Sequence, residues 1–213
     1  MNNIVSQNLK KIRQEIAPHN PVIIAVTKYH GLQGILDAYE AGIRDFAESR
    51  VIEAINKINS LHEDIRKTSR FHLIGHLQTN KAKKAVAIFD LIHSVDSLRL
   101  AKVISDEAQA IGKIQKVLLQ VNNANEAQKF GFSKEDLLLN FAELNQLPGI
   151  KIIGLMNMAP HQSTEIKHLF KEIAELNHNL NLPELSMGMS DDYVVAARAG
   201  ATMLRIGSLI FTT

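Results

Sequence analysis

Several features that define whole classes of protein are missing from this chain of 213 residues. It contains no cysteine, which excludes a disulfide framework and any metal site built on thiolates. No apolar run approaches the length of a membrane-spanning helix, and the N-terminus lacks the basic start and apolar core of a signal peptide. The formal net charge is only +2, too small a bias to indicate a nucleic acid or a membrane surface as partner. We therefore expect a cytoplasmic protein.

The composition that remains is that of an ordinary globular domain. Hydrophobic residues make up 46% of the chain and charged residues 22%, which is enough apolar material to bury a sizeable core. No linker rich in proline, glycine or serine and no shift in composition divides the sequence. We predict one domain over residues 1–213.

Strand-like and helix-like segments alternate eight times, after an amphipathic helix at Ile4–Ile16. The predicted strands are Val22–Val26, Ile43–Phe46, Phe71–Ile74, Phe89–His93, Ile114–Val121, Ile150–Met156, Leu185–Met187 and Thr202–Ile206. The predicted helices between and after them are Leu32–Ala41, Glu48–Ile65, Thr79–Ala87, Ser97–Ala110, Lys134–Leu144, Thr164–Leu180 and Asp191–Ala199. This alternation predicts a parallel sheet, and eight units favour a closed (β/α)8 TIM barrel with an extra N-terminal helix. An open, doubly wound sheet is the alternative.

Lys28 is the first candidate for chemistry, because it follows the buried apolar run Val22–Val26. An ammonium group at the end of a buried strand is costly unless it is paired, neutral or chemically used. In a barrel the carboxyl ends of the strands carry the ligand site, and a lysine there is suited to forming a Schiff base with an aldehyde or ketone. The alternative is that Lys28 simply reaches water along its flexible stem.

The eighth predicted strand places an arginine and a Gly-Ser turn at the same end of the barrel. By alternation, Arg205 and Met203 share one face, and an inward arginine would help keep the amine of Lys28 neutral. The backbone at Gly207 and Ser208 can approach an anion closely, although a Gly-Ser pair after a strand is also an ordinary turn. An amine, an arginine and a phosphate turn together indicate pyridoxal 5′-phosphate.

The turn between Leu185 and Asp192 supplies further candidates. Ser190 is a candidate N-cap of the helix that follows, and the same hydroxyl and the next amides can bind a phosphate there; capping alone is the alternative. Met187 can line a flat ring, although methionines more often fill a core. His72 and His76 lie four residues apart on a strand and its turn, without a carboxylate at zincin spacing, so we predict no metal site. The stretch 122–131, with Glu126 and Lys129, is predicted to be a polar loop over the barrel mouth.

Seven segments of the chain, in order, closely resemble the YggS/PROSC family of pyridoxal phosphate homeostasis proteins. The resemblance runs from about Pro21 to the end of the chain, and the serine-methionine-glycine and arginine-isoleucine-glycine segments are the most specific part of it. The segments are Ala25-Val26-Thr27-Lys28, Phe46-Ala47-Glu48-Ser49, His72-Leu73-Ile74-Gly75 with Leu77-Gln78-Thr79-Asn80-Lys81, Asn122 to Gly131 with Glu126 and Lys129, Gly154-Leu155-Met156, Leu185-Ser186-Met187-Gly188-Met189-Ser190 with Asp192, and Gly200-x-Thr202-x-x-Arg205-Ile206-Gly207.

The resemblance implies a single barrel similar to the N-terminal domain of alanine racemase. It implies an internal aldimine of pyridoxal phosphate on Lys28, a phosphate site near Ser190, Gly207 and Ser208, and Arg205 facing the pyridine nitrogen. The chain departs from the family pattern at five positions, and the first two of them put the contact from the second strand in doubt. These positions are Ala47 and Ser49, where Gly and Asn are usual, His76 for Pro, Ala201 for Ser and Thr212 for Gly.

A carrier of pyridoxal phosphate with little or no turnover is the predicted function. An arginine at the pyridine nitrogen leaves that nitrogen unprotonated, which makes the cofactor a weak electron sink. The expected partners are pyridoxal phosphate and enzymes that depend on it, and we expect a monomer. One alternative is a racemase-like enzyme that acts on an unidentified amino acid. Another is an aldolase with a Schiff-base lysine, which would be colourless when purified.

Overall fold

The structure is a computed structural model that describes residues 4–124, 130–160 and 164–212. Its strands are β1 (Val22–Val26), β2 (Asp45–Glu48), β3 (Arg70–Leu73), β4 (Leu91–Val95), β5 (Gln115–Val121), β6 (Ile150–Asn157), β7 (Glu184–Ser186) and β8 (Met203–Ile206). Its helices are α1 (Ile4–Ile16), α2 (Gly31–Glu40), α3 (Val51–Asn59), α4 (Glu63–Thr68), α5 (Ala82–Ile88), α6 (Leu98–Ala110), α7 (Lys134–Asn145), α8 (Ile166–Asn179), α9 (Tyr193–Arg198) and α10 (Ser208–Phe211).

The eight strands form a closed, parallel barrel in sequence order. Closure is made by β1 and β8, whose register pairs Ile24 with Arg205 and Ala25 with Ile206. This pairing confirms the predicted (β/α)8 barrel and rules out the open sheet. Because all strands run in the same direction, their carboxyl ends meet at one face of the barrel.

Each strand separates an inner from an outer set of side chains. The inner set is a small apolar cluster that includes Ile24 and Val26 of β1, Ala47 of β2 and Met203 of β8. The outer set is the main core between the barrel and its ring of helices, and it contains Leu204 and Ile206. The predicted alternation of Met203 and Leu204 on opposite faces of β8 is therefore confirmed.

The predicted single helix over Glu48–Ile65 is wrong. Glu48 is the last residue of β2, and the helical stretch is divided into α3 and α4. The backbone N–H of Ser60 closes α3 on the carbonyl of Asn56, and His62 starts α4 by accepting a hydrogen bond from the N–H of Asp64. Leu61 is buried between the two helices, which explains why the apolar spacing alone resembled one continuous helix.

The N-terminal helix packs outside the barrel. Val5, Leu9, Ile12 and Ile16 of α1 are buried, and the helix contacts α9 and α10. The side chain of Asn8 donates hydrogen bonds to the carbonyls of Ile210 and Thr212, so α1 also fixes the segment that follows β8. Among the residues that the structure describes, no helix is both long and apolar enough to span a bilayer.

Candidate functional site

A cavity of about 430 Å³ opens at the carboxyl ends of the strands. Its lining is built mainly from side chains that continue the inward-facing rows of the strands past their last hydrogen bonds. Thus Lys28 follows Val26, Ser49 follows Ala47, and Gly207 follows Arg205 at intervals of two residues. Among the residues that the structure describes, the lining also includes Ile74, Gly75, His76, Gln120, Phe130, Met158, Met189, Ser190, Asp191 and Ser208.

Lys28 lies two residues beyond β1 and lines this cavity. Its side chain is exposed, and its Nζ lies 5.0 Å from the ring centroid of Tyr29. The backbone before it is held firmly. The N–H of Thr27 donates to the carbonyl of Ala47, and the Thr27 hydroxyl donates to Glu48 Oε1 at 2.7 Å. The Lys28 amine is therefore attached to a backbone that hydrogen bonds hold in place, and it is accessible to solvent.

Two serine hydroxyls meet at one end of the cavity. Ser190 Oγ and Ser208 Oγ are 3.3 Å apart, and the backbone N–H of Leu209 donates to Ser190 Oγ at 3.5 Å. Gly207 brings the chain to this point at the end of β8. Hydroxyls and backbone N–H groups are the neutral donors that proteins use for phosphate oxygens. The donor set of this corner fits a phosphate group.

The predicted capping role of Ser190 is wrong. Helix α9 begins at Tyr193, and its N-cap position is Asp192. Asp192 Oδ1 accepts a hydrogen bond from the backbone N–H of Met189, which fixes the turn before the helix. Burial raises the pKa of the Asp192 carboxyl above its ordinary value. Because Asp192 holds the turn, the Ser190 hydroxyl is left beside Ser208 at the cavity.

Arg205 of β8 is a buried cation that lines the cavity. It is 3% exposed; its Nη1 donates to Ser186 Oγ at 2.7 Å and its Nη2 to the carbonyl of Asn157 at 2.8 Å. Burial lowers the pKa of the guanidinium to about 10, which leaves it charged at neutral pH, and the charge of Asp192 acts in the opposite direction. The cavity lining therefore contains a cationic hydrogen-bond donor that is held in a fixed position.

Of the seven residues predicted from the sequence to bind the cofactor, six line the cavity: Lys28, Ser49, Ser190, Arg205, Gly207 and Ser208. The seventh, Met187, is fully buried in the outer core and does not line it. It follows the inward-facing Ser186 by one residue and therefore points to the opposite face. Met158 and Met189 supply the methionine surface of the cavity instead.

The rim of the cavity contains a pair that the sequence reasoning missed. His76 Nδ1 lies 2.9 Å from Asp96 Oδ2, and its ring stacks on Phe130 with 3.7 Å between centroids. The side chain of Gln120 donates to the carbonyl of Phe130 at 2.8 Å and fixes the start of this contact. Phe130 directly follows residues 125–129, so the predicted loop positions Glu126 and Lys129 lie outside the described residues.

A second missed feature is a row of buried polar side chains inside the barrel, namely Asp45, His72, His93 and Ser186. Each of them stands at an inward-facing strand position, where the alternation predicts an apolar side chain. A polar residue at such a position was the signal by which the sequence could have revealed them. His72, weighed above as a metal ligand, is instead hydrogen-bonded to Asp45 and His93. In the described part of the chain, no group of three His, Cys, Asp or Glu side chains is arranged to hold a metal ion.

The residues present fit pyridoxal 5′-phosphate on the chemistry of their donors. The cavity offers a reachable primary amine for an aldehyde, a pair of hydroxyls for a phosphate and a buried guanidinium for an unprotonated ring nitrogen. The apolar surface between these groups comes from Val26, Ile74, Met158 and Met189, which can cover the faces of a flat ring.

Comparisons with known proteins agree with this geometry. The family model described as "Alanine racemase, N-terminal domain" matches residues 3–213. A pyridoxal phosphate homeostasis protein from Synechocystis sp. is 42% identical over 205 residues, which cover 91% of this chain and 92% of the relative. A protein of the same name from Escherichia coli is 32% identical over 225 residues, covering 98% and 96%.

Solved structures give the same result. PipY from Synechococcus elongatus without PLP has a TM-score of 0.90 and 40% identity, and the match covers 98% of this chain and 100% of that one. PipY with PLP bound has a TM-score of 0.87 and 37% identity, with the same coverage. An alanine racemase from Clostridium difficile, 16% identical with a TM-score of 0.81, shares the fold over 57% of its own length. The chain therefore belongs to the alanine racemase N-terminal domain family and, within it, to the pyridoxal phosphate homeostasis proteins.

Proposed function

We propose that this protein binds pyridoxal 5′-phosphate in the cavity at the carboxyl ends of the strands and holds it as a store or carrier, with little or no turnover. One observation carries the proposal: Lys28, Arg205 and the hydroxyl pair of Ser190 and Ser208 surround the same cavity. The name of the relatives and the PLP bound to PipY support the same ligand.

Each group has a separate task in this proposal. Lys28 supplies a primary amine that can condense with an aldehyde and release one water molecule; because water reverses this condensation, the covalent attachment would be reversible. Ser190, Ser208 and the backbone at Gly207 hold the phosphate, which fixes the ligand's register in the cavity. Ser49 lines the side near β2, where the family pattern has Asn, and it contributes a smaller hydroxyl there.

Arg205 is the reason to expect storage instead of catalysis. The bound cofactor supplies an electron sink for amino-acid chemistry, and that sink is strong only when the ring nitrogen is protonated. A guanidinium that is charged and buried donates a hydrogen bond to the nitrogen and does not give up its proton. The ring nitrogen therefore stays unprotonated in this pocket, which disfavours the charge build-up that racemisation or decarboxylation requires.

Chemical trapping tests the attachment. The purified protein is incubated with pyridoxal phosphate, reduced with borohydride and digested, and the peptides are analysed by mass spectrometry. We expect a pyridoxyl group on Lys28 and none in the Lys28→Ala variant, whereas Lys81→Ala, which changes an exposed lysine outside the cavity lining, keeps it. An adduct confined to another lysine would contradict the assignment.

A turnover assay tests the second half of the proposal. The loaded protein is supplied with a panel of L- and D-amino acids, and racemised, decarboxylated and transaminated products are measured. We expect rates no higher than those of free pyridoxal phosphate. Turnover at ordinary enzyme rates, of the order of 1 s⁻¹ or faster, would show a racemase-like enzyme instead of a carrier.

A further inference from the structure

Four buried polar side chains of the barrel form one continuous chain of hydrogen bonds. Asp45 Oδ1 lies 3.0 Å from His72 Nε2, and His72 Nδ1 lies 2.9 Å from His93 Nε2. His93 Nδ1 lies 3.0 Å from Ser186 Oγ, which accepts the 2.7 Å hydrogen bond from Arg205. We call these four residues, Asp45, His72, His93 and Ser186, the barrel relay.

The barrel relay connects two ends of the fold. Asp45 is the first residue of β2, near the amino end of the barrel, where it pairs with the largely exposed Arg70 at 2.7 Å. Ser186 is the last residue of β7, where it accepts the hydrogen bond from Arg205, and Arg205 lines the cavity. The step from His93 on β4 to Ser186 on β7 crosses the interior between strands that are not neighbours. A group far from the cavity is thereby joined to Arg205.

When both imidazole rings are neutral, the chemistry of the two ends gives the relay one direction. Arg205 can only donate, and an ionised Asp45 can only accept. If the Ser186 hydroxyl donates to His93 Nδ1, His93 carries its proton on Nε2 and donates to His72 Nδ1. His72 then carries its proton on Nε2 and donates a hydrogen bond to the Asp45 carboxylate. The opposite tautomers would turn the unprotonated Nε2 of His72 towards the Asp45 carboxylate, where two acceptors repel each other.

The protonation states required by this direction follow from the surroundings. Burial, and then the electrostatic interactions with His72 and Arg205, hold the pKa of His93 well below its ordinary value, so its ring is neutral. Burial acts to raise the pKa of Asp45, but the hydrogen bonds from His72 and Arg70 outweigh it, and the pKa lies below its ordinary value. The carboxyl is therefore ionised at neutral pH.

We infer that Asp45 is a positioning residue for the cofactor site: it fixes the tautomers of His72 and His93 and the Ser186 hydroxyl, and thereby orients the Arg205 guanidinium. The Ser186 oxygen can then accept the hydrogen bond from Arg205, because the Ser186 hydroxyl proton is donated to His93. The inference rests on the proposed function only where Arg205 meets the ring nitrogen of pyridoxal phosphate. The state of the relay is a property of the chain alone.

The first test is ¹⁵N NMR of the histidine rings in the protein without ligand. We expect both His72 and His93 to be protonated on Nε2 and unprotonated on Nδ1. In Asp45→Asn, Arg70 would retain the amide oxygen, so that the amide N–H₂ donates to His72 and both tautomers reverse. Arg70→Gln leaves the carboxylate in place and is expected to leave the tautomers unchanged.

Two results of this experiment would overturn the inference. One is a wild-type His93 that carries its proton on Nδ1, because Ser186 then has no fixed direction. The other is an Asp45→Asn variant with the tautomers of the wild type. If Asp45→Asn does not fold, Ser186→Ala replaces it, since it removes one small hydroxyl and no charge. We then expect the Nδ1 resonance of His93 to shift, and an unshifted resonance contradicts the relay.

The second test compares two ligands. Pyridoxal phosphate is titrated beside an analogue in which a C–H group replaces the ring nitrogen and the aldehyde and phosphate are kept. We expect Asp45→Asn and Ser186→Ala each to weaken binding of pyridoxal phosphate about tenfold and that of the analogue less than about twofold. Ser105→Ala removes a buried hydroxyl that accepts from the Gly149 N–H, away from the cavity, and is expected to change neither.

The outcomes separate the relay from the proposed function. If the wild-type protein binds no pyridoxal phosphate, the proposed function fails, whereas the NMR result for the relay still stands or falls by itself. If the wild type binds and the variants bind equally well, the inference about Asp45 fails. Equal weakening for both ligands would also overturn it, because a general loss of structure does not distinguish a nitrogen from a carbon in the ring.

Discussion

Lys57 of α3 and Glu48 of β2 form an ion pair directly beneath the segment that carries Lys28. Lys57 Nζ lies 2.8 Å from Glu48 Oε1 and donates a second hydrogen bond, also 2.8 Å, to the carbonyl of Thr27. The Glu48 side chain is 2% exposed, and among the described residues its Oε2 has no hydrogen-bond partner. One helix and two strand ends are thus fixed together by a single ammonium group, next to the proposed reactive lysine.

Replacing Lys57 with methionine is expected to destabilise the protein by about 3 kcal/mol, because the buried carboxylate of Glu48 is left without its counter-charge. The free energy of unfolding is measured by denaturation in urea. The matched control is Lys171→Met, which breaks an exposed ion pair with Glu175 and should cost less than about 1 kcal/mol. Equal effects of the two substitutions would show that the ion pair beneath Lys28 contributes no more to the free energy of unfolding than an exposed pair does.

Alanine substitution of Ser190 or Ser208 tests the phosphate corner. Each hydroxyl is expected to donate to the phosphate, so either change should weaken binding of pyridoxal phosphate about tenfold, the effect of one hydrogen bond to a charged group. Binding of pyridoxal, which lacks the phosphate, should not change. Ser60→Ala, at the exposed end of α3, serves as the control variant. A loss of affinity for pyridoxal as well would place the two hydroxyls elsewhere in the site.

Gly75 is expected to tolerate no side chain, because a Cβ there would lie 2.1 Å from the carbonyl oxygen of Ser49. Gly75→Ala should force the ends of β2 and β3 apart, lower the free energy of unfolding by about 1 to 3 kcal/mol and weaken pyridoxal phosphate binding. Gly149→Ala is the matched control, since its Cβ would lie 2.0 Å from the Ser105 carbonyl oxygen, away from the cavity. The Gly149→Ala variant should lose stability and keep its affinity for pyridoxal phosphate. Weaker binding in both variants would show that Gly75→Ala does not act on the cavity specifically.

The barrel was predictable because its signals are local and repeated. Buried parallel strands such as Val22–Val26 are continuous apolar runs, and Ser97, the first residue of the predicted helix, caps α6 with its Oγ accepting from the Leu100 N–H. Once the strands are placed, their carboxyl ends must meet, which is why Lys28 and Arg205 were correctly predicted to share a cavity.

The barrel relay was not predictable in the same way, because it depends on which strands face each other across the interior. A register shift in the pairing of β4 with β5, between Ile92 and Val95, lies at the position of His93. No pattern within β4 reveals that its histidine meets Ser186 of β7. The rim contact of His76 with Phe130 likewise joins residues 54 positions apart, in segments that have no regular spacing between them.

Tyr193 is expected to make the protein sensitive to alkali. Its hydroxyl donates a hydrogen bond to Glu15 and so joins α9 to α1. Burial, and then the hydrogen bond and charge of Glu15, raise the pKa of Tyr193 from 10.0 to about 12. The folded protein thus binds this proton more tightly than the unfolded chain does. The stability that this proton contributes is complete below about pH 10 and is lost as the pH rises to about 12.

The Tyr193→Phe variant isolates this contribution. The free energy of unfolding is measured from pH 8 to 12 for both proteins, and the wild type should lose its advantage over the variant between about pH 10 and 12. Because the chain has three tyrosines, the difference in tyrosinate absorbance between the two proteins gives the titration of Tyr193 alone. A midpoint near 10 in that difference would mean that Glu15 does not hold the proton in the folded state. The difference in free energy of unfolding between the wild type and the variant would then stay constant from about pH 10 to 12.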